Sequence, residues 1–231
     1  LGEHKFVAWG SKDRTDGYSL YDNYQPGATT RDRRYDVDSV GLKYGYDFTD
    51  ALSLTLQGVH TEAALDYPTP AFTNVNDRNE DILSGRLDYA ASERVKLFMK
   101  GYFHDWDTDY YPATDPADSA FWGYRDFGAS ASAQMDLTRG LQYVVGYDFQ
   151  KYRGRDEVLL IEEQTEKAQA VYAQVRSTDE LSAKARFSAG LRYNDTGGTN
   201  ATVWSASGTW QFTDALYLEG SLGTSFLLPD A

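Results

Sequence analysis

Residues 40–56 have the sequence VGLKYGYDFTDALSLTL, and their alternation of side chains is repeated through the chain. Apolar or aromatic residues occupy every second position from Val40 to Phe48, and the rule resumes at Leu52. Because successive side chains of a β-strand point to opposite faces, the pattern predicts two strands, each with one apolar face. The pentapeptide FTDAL between them recurs at residues 212–216, and each copy is predicted to form a tight turn.

The same alternation marks about eleven strands of roughly 10–14 residues, whereas strands of globular sheets have about 5–6. Short turns are predicted at residues 49–50, 92–93, 138–139, 178–180 and 213–214. Long polar segments are predicted to form loops at residues 15–34, 66–79, 105–119, 152–163 and 194–200. Because short and long connections alternate, an up-and-down sheet would carry its long loops at one end, as outer-membrane barrels do.

The composition favours a β-protein and excludes several classes of function. Aromatic residues make up 15% of the 231 residues, and they are typical of pleated, half-buried surfaces. The net charge of −13, without a basic stripe, argues against nucleic acid as a partner. The chain has no Cys, which excludes disulfides, thiolate metal sites and cysteine nucleophiles.

The strands of a soluble β-sandwich or a β-solenoid would also alternate apolar and polar side chains. The kinds of side chain on the two faces must therefore distinguish these folds from a membrane barrel. The small residues Ala129, Ala131 and Ala189 on the apolar face favour lipid contact, because a thick protein core would use larger side chains there. The following mid-strand charged residues avoid the apolar faces, as every one of these folds requires. They are Lys43, Arg86, Lys184, Arg186 and Glu219.

Two segments fit the alternation less well. In residues 95–102, Phe98 and Tyr102 share a face with two lysines, and in residues 167–176 neither face is cleanly apolar. At the turn ends of other strands, aromatic residues are predicted to form the inner girdle of a membrane barrel. They are Phe48, Tyr89, Trp210 and Phe212.

Residues 218–231, LEGSLGTSFLLPDA, resemble a strand motif of TonB-dependent outer-membrane receptors. Leu227 and Leu228 replace the basic residue and the alanine usual in that motif, and Asp230 stands where its loop begins. The segments FSAGLRYNDTGG and GYDFQKY resemble two further strands of the family, and FVAWGSKDRTDGYSLYDNYQPG is similar to a hairpin region of its cobalamin and siderophore receptors. The matching residues of the first motif are Gly223, Thr224, Ser225, Phe226 and Pro229.

The resemblance implies an all-β fold, an antiparallel up-and-down transmembrane β-barrel of about 22 strands in the outer membrane of a Gram-negative bacterium. Residues 1–231 would form part of this one barrel domain, with about eleven of its strands and without the plug domain. The chain ends on Ala231 and not on the terminal aromatic strand of such barrels, so we expect an internal fragment.

The function implied by the resemblance is high-affinity uptake of an iron–siderophore or cobalamin-type ligand. The partner TonB would act through the plug region, which lies outside this chain, and no resident cofactor is implied. A passive porin or a structural adhesin barrel is the alternative function that the residues leave open.

Residues of the predicted loops are the candidates for ligand binding. Six aromatic residues could form flat contacts to a large aromatic or macrocyclic ligand, or could lie in the outer girdle of the barrel. Three arginines could bind an anionic ferric siderophore, the phosphates of lipopolysaccharide in the surrounding outer-membrane lipid, or water alone. The candidates are Tyr18, Tyr21, Tyr24, Trp106, Tyr110 and Tyr111, with Arg31, Arg33 and Arg34.

The predicted loop at residues 105–119 is dense in carboxylates. Oxygen ligands of this kind could bind Ca²⁺, although the spacing is not that of an EF-hand, and a solvated acidic loop is the other interpretation. The candidate calcium ligands are Asp105, Asp107, Asp109 and Asp115.

The sequence offers little for catalysis. His4, His60 and His104 fall on different predicted strands, and His104 beside Asp105 is the one pair typical of a hydrolase. No serine nucleophile or second carboxylate is placed beside that pair, so the chain is not expected to be an enzyme.

Overall fold

The computed structural model of the chain is a single antiparallel sheet, described for residues 2–18, 33–68 and 73–225. Each of its eleven strands pairs with the next along the chain, which confirms the predicted meander, and β1 and β11 form the edges. The strands are β1 Glu3–Thr15, β2 Tyr35–Thr49, β3 Leu52–Pro68, β4 Thr73–Ser92, β5 Val95–Pro112, β6 Ala120–Thr138, β7 Leu141–Asp156, β8 Ile161–Ser177, β9 Ala185–Asp195, β10 Asn200–Thr213 and β11 Leu216–Gly223. In those ranges we find no helix with the length and hydropathy needed to span a membrane.

The apolar face of the sheet is the one that carries Leu42, Leu56 and Leu83. Large hydrophobic side chains on this face are exposed, and in the described residues only Val75 and Ala170 are buried hydrophobic residues. A sandwich would bury such a face against a second layer, so this face is the lipid-contacting surface of a transmembrane barrel wall. We call the opposite, polar face the luminal face.

Both FTDAL copies form the same turn. In the first, the backbone N–H of Ala51 donates to Thr49 Oγ1 at 3.2 Å, and in the second Ala215 donates to Thr213 Oγ1 at 3.3 Å. The strand register also shifts next to each threonine. The repeated sequence therefore specifies a repeated local structure, in which a threonine hydroxyl stabilises the turn.

Residues 95–102, which fit the alternation poorly, belong to an ordinary barrel strand. Leu97 and Met99 lie directly opposite Tyr89 and Leu87 on the apolar face. The lysines and the aromatic residues at the even-numbered positions of β5 are all on the luminal face. Because this face mixes charged and aromatic side chains, the sequence does not show it as a polar face. In β8, residues 171–175 likewise place their odd-numbered side chains on the apolar face.

Three of the predicted loops are wrong in length: they are shorter than expected, because the strands beside them are longer. β5 continues to Pro112, β4 begins at Thr73, and β7 continues to Asp156, each well inside a segment predicted as loop. Beyond the membrane both faces of a strand meet water, so the hydrophobic alternation ends there while backbone pairing continues. The loop bounds at residues 15–34 and 194–200 are confirmed by the strand ends on either side.

The apolar band on the lipid side drifts relative to the hydrogen-bonded rows of the sheet. A row is a set of residues on successive strands, each directly opposite the next. The row that starts at Leu52, beside the β2–β3 turn, reaches β10 at Trp204. Phe212, at the turn end of β10, lies eight residues further along that strand. Correspondingly, outward-facing charges appear one row lower on β7 than on β6. That row is Leu52, Tyr89, Leu97, Ala133, Val145, Ala173, Leu191 and Trp204.

On the luminal face, aromatic rings cover the glycines that lie directly opposite them. Tyr102 lies opposite Gly128, and a Cβ added to this glycine would overlap the tyrosine ring. Tyr172 covers Gly146 in the same way. The close approach lets the Tyr102 hydroxyl donate to Asp126 Oδ2 at 3.0 Å.

We expect Gly128→Ala to lower the free energy of unfolding by about 1–3 kcal/mol, because Tyr102 must move away and its hydrogen bond to buried Asp126 is lost. The measurement is urea unfolding of the barrel in lipid vesicles. Gly101→Ala is the control, since its nearest new contact is 3.8 Å away. Equal unfolding midpoints for the two variants would contradict the argument.

Candidate functional site

The candidate ligand residues near the first long loop are held by local contacts. The Arg34 guanidinium lies 3.5 Å from the carboxylate of Asp66, and the Arg33 guanidinium lies 5.6 Å from the ring centre of Tyr67. Tyr18 is exposed. Tyr21, Tyr24 and Arg31 lie outside the described residues, so their ligand role stays a prediction.

The aromatic candidates of β5 divide between the two faces. Trp106 and Tyr110 are luminal, whereas Tyr111 lies opposite Val75 on the outer face and donates to Asp77 Oδ2 at 2.5 Å. Trp106 and Tyr110 could therefore meet a ligand inside the barrel, but Tyr111 could not meet it from the same side.

The candidate calcium ligands Asp105, Asp107 and Asp109 all project from the outer face of β5. Asp105 accepts a hydrogen bond from Arg125 Nε at 2.7 Å, and Asp115 lies apart in the β5–β6 loop, where it accepts from the Ala117 N–H. In the ranges that the structure describes, no three carboxylate or imidazole groups come close enough to hold a metal ion. The calcium site remains a prediction without support from this geometry.

A luminal aromatic box lies above the level of the apolar band, and it consists of Arg78, His104, Trp106, Trp122 and Tyr124. Register places these five residues on one face of three consecutive strands, β4, β5 and β6. Trp106 is at the centre, with ring centroids 5.2 Å from Trp122 and 5.1 Å from Tyr124, both edge-to-face. The Arg78 guanidinium lies 4.7 Å from the Trp106 ring centre, within the range of a cation–π contact.

The fifth member of the box, His104, is fixed by two contacts. Its Nε2 lies 2.8 Å from Glu80 Oε1, and its ring packs edge-on against Tyr124 with centroids 5.3 Å apart. His104 and Asp105 are neighbours in sequence on opposite faces of β5, so they cannot act as the hydrolase pair considered above.

A cavity of about 460 Å³ opens beside the box and continues to β7 and β8. Trp122 Nε1 and Asp126 Oδ1 are buried, and neither has a hydrogen-bond partner within the described ranges. Burial raises the pKa of Tyr152 to about 12, helped by the hydrogen bond that its hydroxyl donates to Glu166 at 2.5 Å. The cavity therefore offers a ligand aromatic faces, an indole donor and a carboxylate acceptor.

Sequence reasoning found Trp106 but not Arg78, Trp122 or Tyr124. Trp122 and Tyr124 stand two apart in FWGYRDF, which is the period-two spacing of one strand face. That signal could have been read as an aromatic pair on the polar face of β6. Their contact with Trp106 depends on register between strands, which a single sequence does not give.

Comparisons with known proteins agree with this geometry. Residues 4–231 match the family described as TonB dependent receptor-like, beta-barrel. No curated protein sequence matches the chain.

Several solved structures share the fold at low identity. The siderophore receptor PirA from Acinetobacter baumannii has a TM-score of 0.81 at 11% identity, over 98% of this chain and 38% of its own. A mutant of the ferric enterobactin receptor PfeA from Pseudomonas aeruginosa, in complex with enterobactin, has a TM-score of 0.82 at 12% identity, over 98% and 40%. The copper transporter OprC has a TM-score of 0.74 at 14% identity, over 100% and 42%. The chain thus spans about two fifths of the length of these proteins.

Proposed function

The chain belongs to the TonB dependent receptor-like β-barrel family, and we propose on this basis that it forms part of a receptor that imports an iron–siderophore or cobalamin-type ligand across the outer membrane of a Gram-negative bacterium. TonB would drive transport through a plug region outside this chain. The surrounding partners would be outer-membrane lipid and lipopolysaccharide. The structural relatives include receptors for siderophores and for ferric enterobactin.

The luminal aromatic box is the observation that carries this proposal. A corrinoid, or a siderophore whose iron-binding groups are aromatic rings, presents flat unsaturated surfaces, which stack well on Trp and Tyr rings. The Arg78 cation beside Trp106 suits a ligand that also carries negative charge. A passive pore for small polar solutes would gain little from half-buried indole rings at the wall, so the box favours a specific receptor over a porin.

The position of the box also suits ligand capture from outside. The box lies on strand segments that extend beyond the apolar band, on the side of the long first loop. Side chains on paired strands are held more firmly than side chains on loops, which lowers the ordering cost of binding. Catalysis forms no part of this proposal, because a transport wall needs only binding groups.

The test is growth of a strain that lacks the gene carrying this chain. We expect slower growth under iron limitation with a single siderophore supplied, or with cobalamin as the only route to methionine, and rescue by the gene on a plasmid. The same deletion is also made in a strain that lacks TonB. If it causes no additional growth defect there, uptake through this protein depends on TonB, which would support energised uptake. Normal growth in both media, together with faster entry of small solutes through the purified protein, would instead support a passive barrel.

A further inference from the structure

Like charges lie directly opposite one another on the outer face of β6, β7 and β8. Arg125 is opposite Arg153, and Lys151 is opposite Lys167. Side chains opposite each other in an antiparallel pair have Cβ atoms only about 5 Å apart, and like charges in that position destabilise the sheet. Such an arrangement requires counter-charges from elsewhere.

The two arginines have counter-charges within the chain. Arg125 Nε lies 2.7 Å from Asp105 Oδ2, and Arg153 lies 2.6 Å from Glu163 Oε1. The hydrogen bond and charge of Arg153 lower the pKa of Glu163, as expected for a formed ion pair. Lys151 and Lys167 are both exposed, and neither forms an ion pair within residues 2–18, 33–68 and 73–225.

The two lysines lie at the upper edge of the apolar band. Lys151 is the first outward-facing residue after Phe149 on β7, and it lies directly opposite Phe127 of β6, which is 50% exposed on the lipid side. Flexible lysine stems follow an apolar surface and carry their ammonium groups to the polar headgroup level. By contrast, outward-facing Lys12 on β1 already lies 2.7 Å from Asp38 and 3.2 Å from Asp36.

We propose that Lys151 and Lys167 form a clamp for one phosphate group of lipopolysaccharide, the phosphorylated glycolipid of the outer leaflet. Two ammonium groups from facing positions can converge on one phosphate, and that phosphate removes the repulsion between them. The aromatic surface of Phe127 below the clamp would contact the acyl chains of the same lipid. This inference rests on the outer-membrane location within the proposed function.

The test is a titration of the full-length protein in detergent micelles with diphosphorylated lipid A, followed by native mass spectrometry. Each cation near an anionic lipid surface contributes about fivefold to affinity, so Lys151→Gln with Lys167→Gln is expected to weaken binding by about 25-fold. The charge-matched control is Lys43→Gln with Lys184→Gln, which should bind as the wild type does, because Lys43 is luminal and Lys184 lies in the β8–β9 turn at the other end of the sheet. Lipid A with its phosphates removed should bind both double variants equally weakly.

Three outcomes would overturn the clamp. Equal lipid A affinity of the two double variants would show that these lysines do not bind the lipid. Displacement of lipid A by inorganic phosphate at millimolar concentration would show that the acyl chains add nothing to binding, and would indicate a general anion site. Binding of an acidic protein but not of lipid A would indicate a protein interface. Because the titration needs no transport, its failure leaves the growth experiment intact, and a failed growth experiment leaves the titration intact.

Discussion

Leu56→Arg should prevent most of the barrel from inserting. Leu56 lies near the middle of the apolar band, 44% exposed, opposite Tyr44 on β2 and Gly85 on β4. An arginine on the lipid face at mid-depth costs about 2–4 kcal/mol, so the folded, inserted population should fall about 30-fold or more. The measurement is the fraction of the protein that migrates in the heat-modifiable, folded form on unheated gels of outer-membrane extracts.

The matched control for this variant is Ser84→Arg. Ser84 lies opposite Gln57, one residue along β3 from Leu56, so its depth is similar, but it faces the lumen. An arginine there remains solvated and should leave insertion within about twofold of the wild type. Lys184→Ala, in the turn just before β9, should be equally harmless. If Leu56→Arg and Ser84→Arg inserted equally well, the assignment of the two faces would be wrong.

Trp106→Ala should abolish most ligand binding while the barrel stays inserted. Trp106 touches three other members of the luminal aromatic box, Arg78, Trp122 and Tyr124, so its removal opens the centre of the cluster. Central tryptophans of binding sites typically contribute 2 kcal/mol or more, which corresponds to about 30-fold or more in affinity. The readout is equilibrium binding of ferric enterobactin and of cobalamin, as two separate probes, to the full-length protein.

The control for the binding experiment is Trp204→Ala. Trp204 has the same side chain but lies on the lipid face, opposite Leu191 and 46% exposed. Its loss should reduce stability slightly and leave affinity for either probe unchanged. Equal loss of affinity in the two variants would mean that Trp106 acts through stability alone and that the box is not the binding surface.

The sequence was sufficient for the faces and for four of the five short turns, because both depend on local chemistry. The turn predicted at residues 178–180 is longer in the structure and covers residues 178–184. The period of two places Leu42 and Leu56 on the lipid side and Lys43 on the other without any knowledge of neighbouring strands. The turn at Thr49 follows from a hydroxyl that bonds to an amide two residues away. These features need only a few consecutive residues.

The strand ends and the residues of the luminal aromatic box could not be predicted from the sequence in this way. Strand β5 passes beyond the membrane at Asp105, and its backbone pairing with β4 and β6 continues through residues that the sequence predicts to be a loop. The box depends on which residue of β6 lies opposite which residue of β5, and this places Tyr124 beside Trp106. Register is a property of several strands together, and one sequence leaves it open.

The drift of the apolar band across the rows fixes how the strands lean in the bilayer. The band shifts by eight residues, from Trp204 to Phe212, over the seven steps from β3 to β10. With about 3.3 Å per residue along a strand and about 4.8 Å between strands, this shift corresponds to a lean of about 40° from the membrane normal.

The lean converts positions along the strands into heights above the membrane midplane. The nine residues from Val40 to Phe48 cover about 27 Å along β2 but only about 21 Å of vertical height, close to the hydrocarbon band of outer-membrane barrels. Lys151 on β7 lies one row below Arg125 on β6 and yet stands at a similar height. The drop of one row and the lean of the strands therefore offset each other here, so β6 and β7 bring their outward cations to the lipid headgroups at one level.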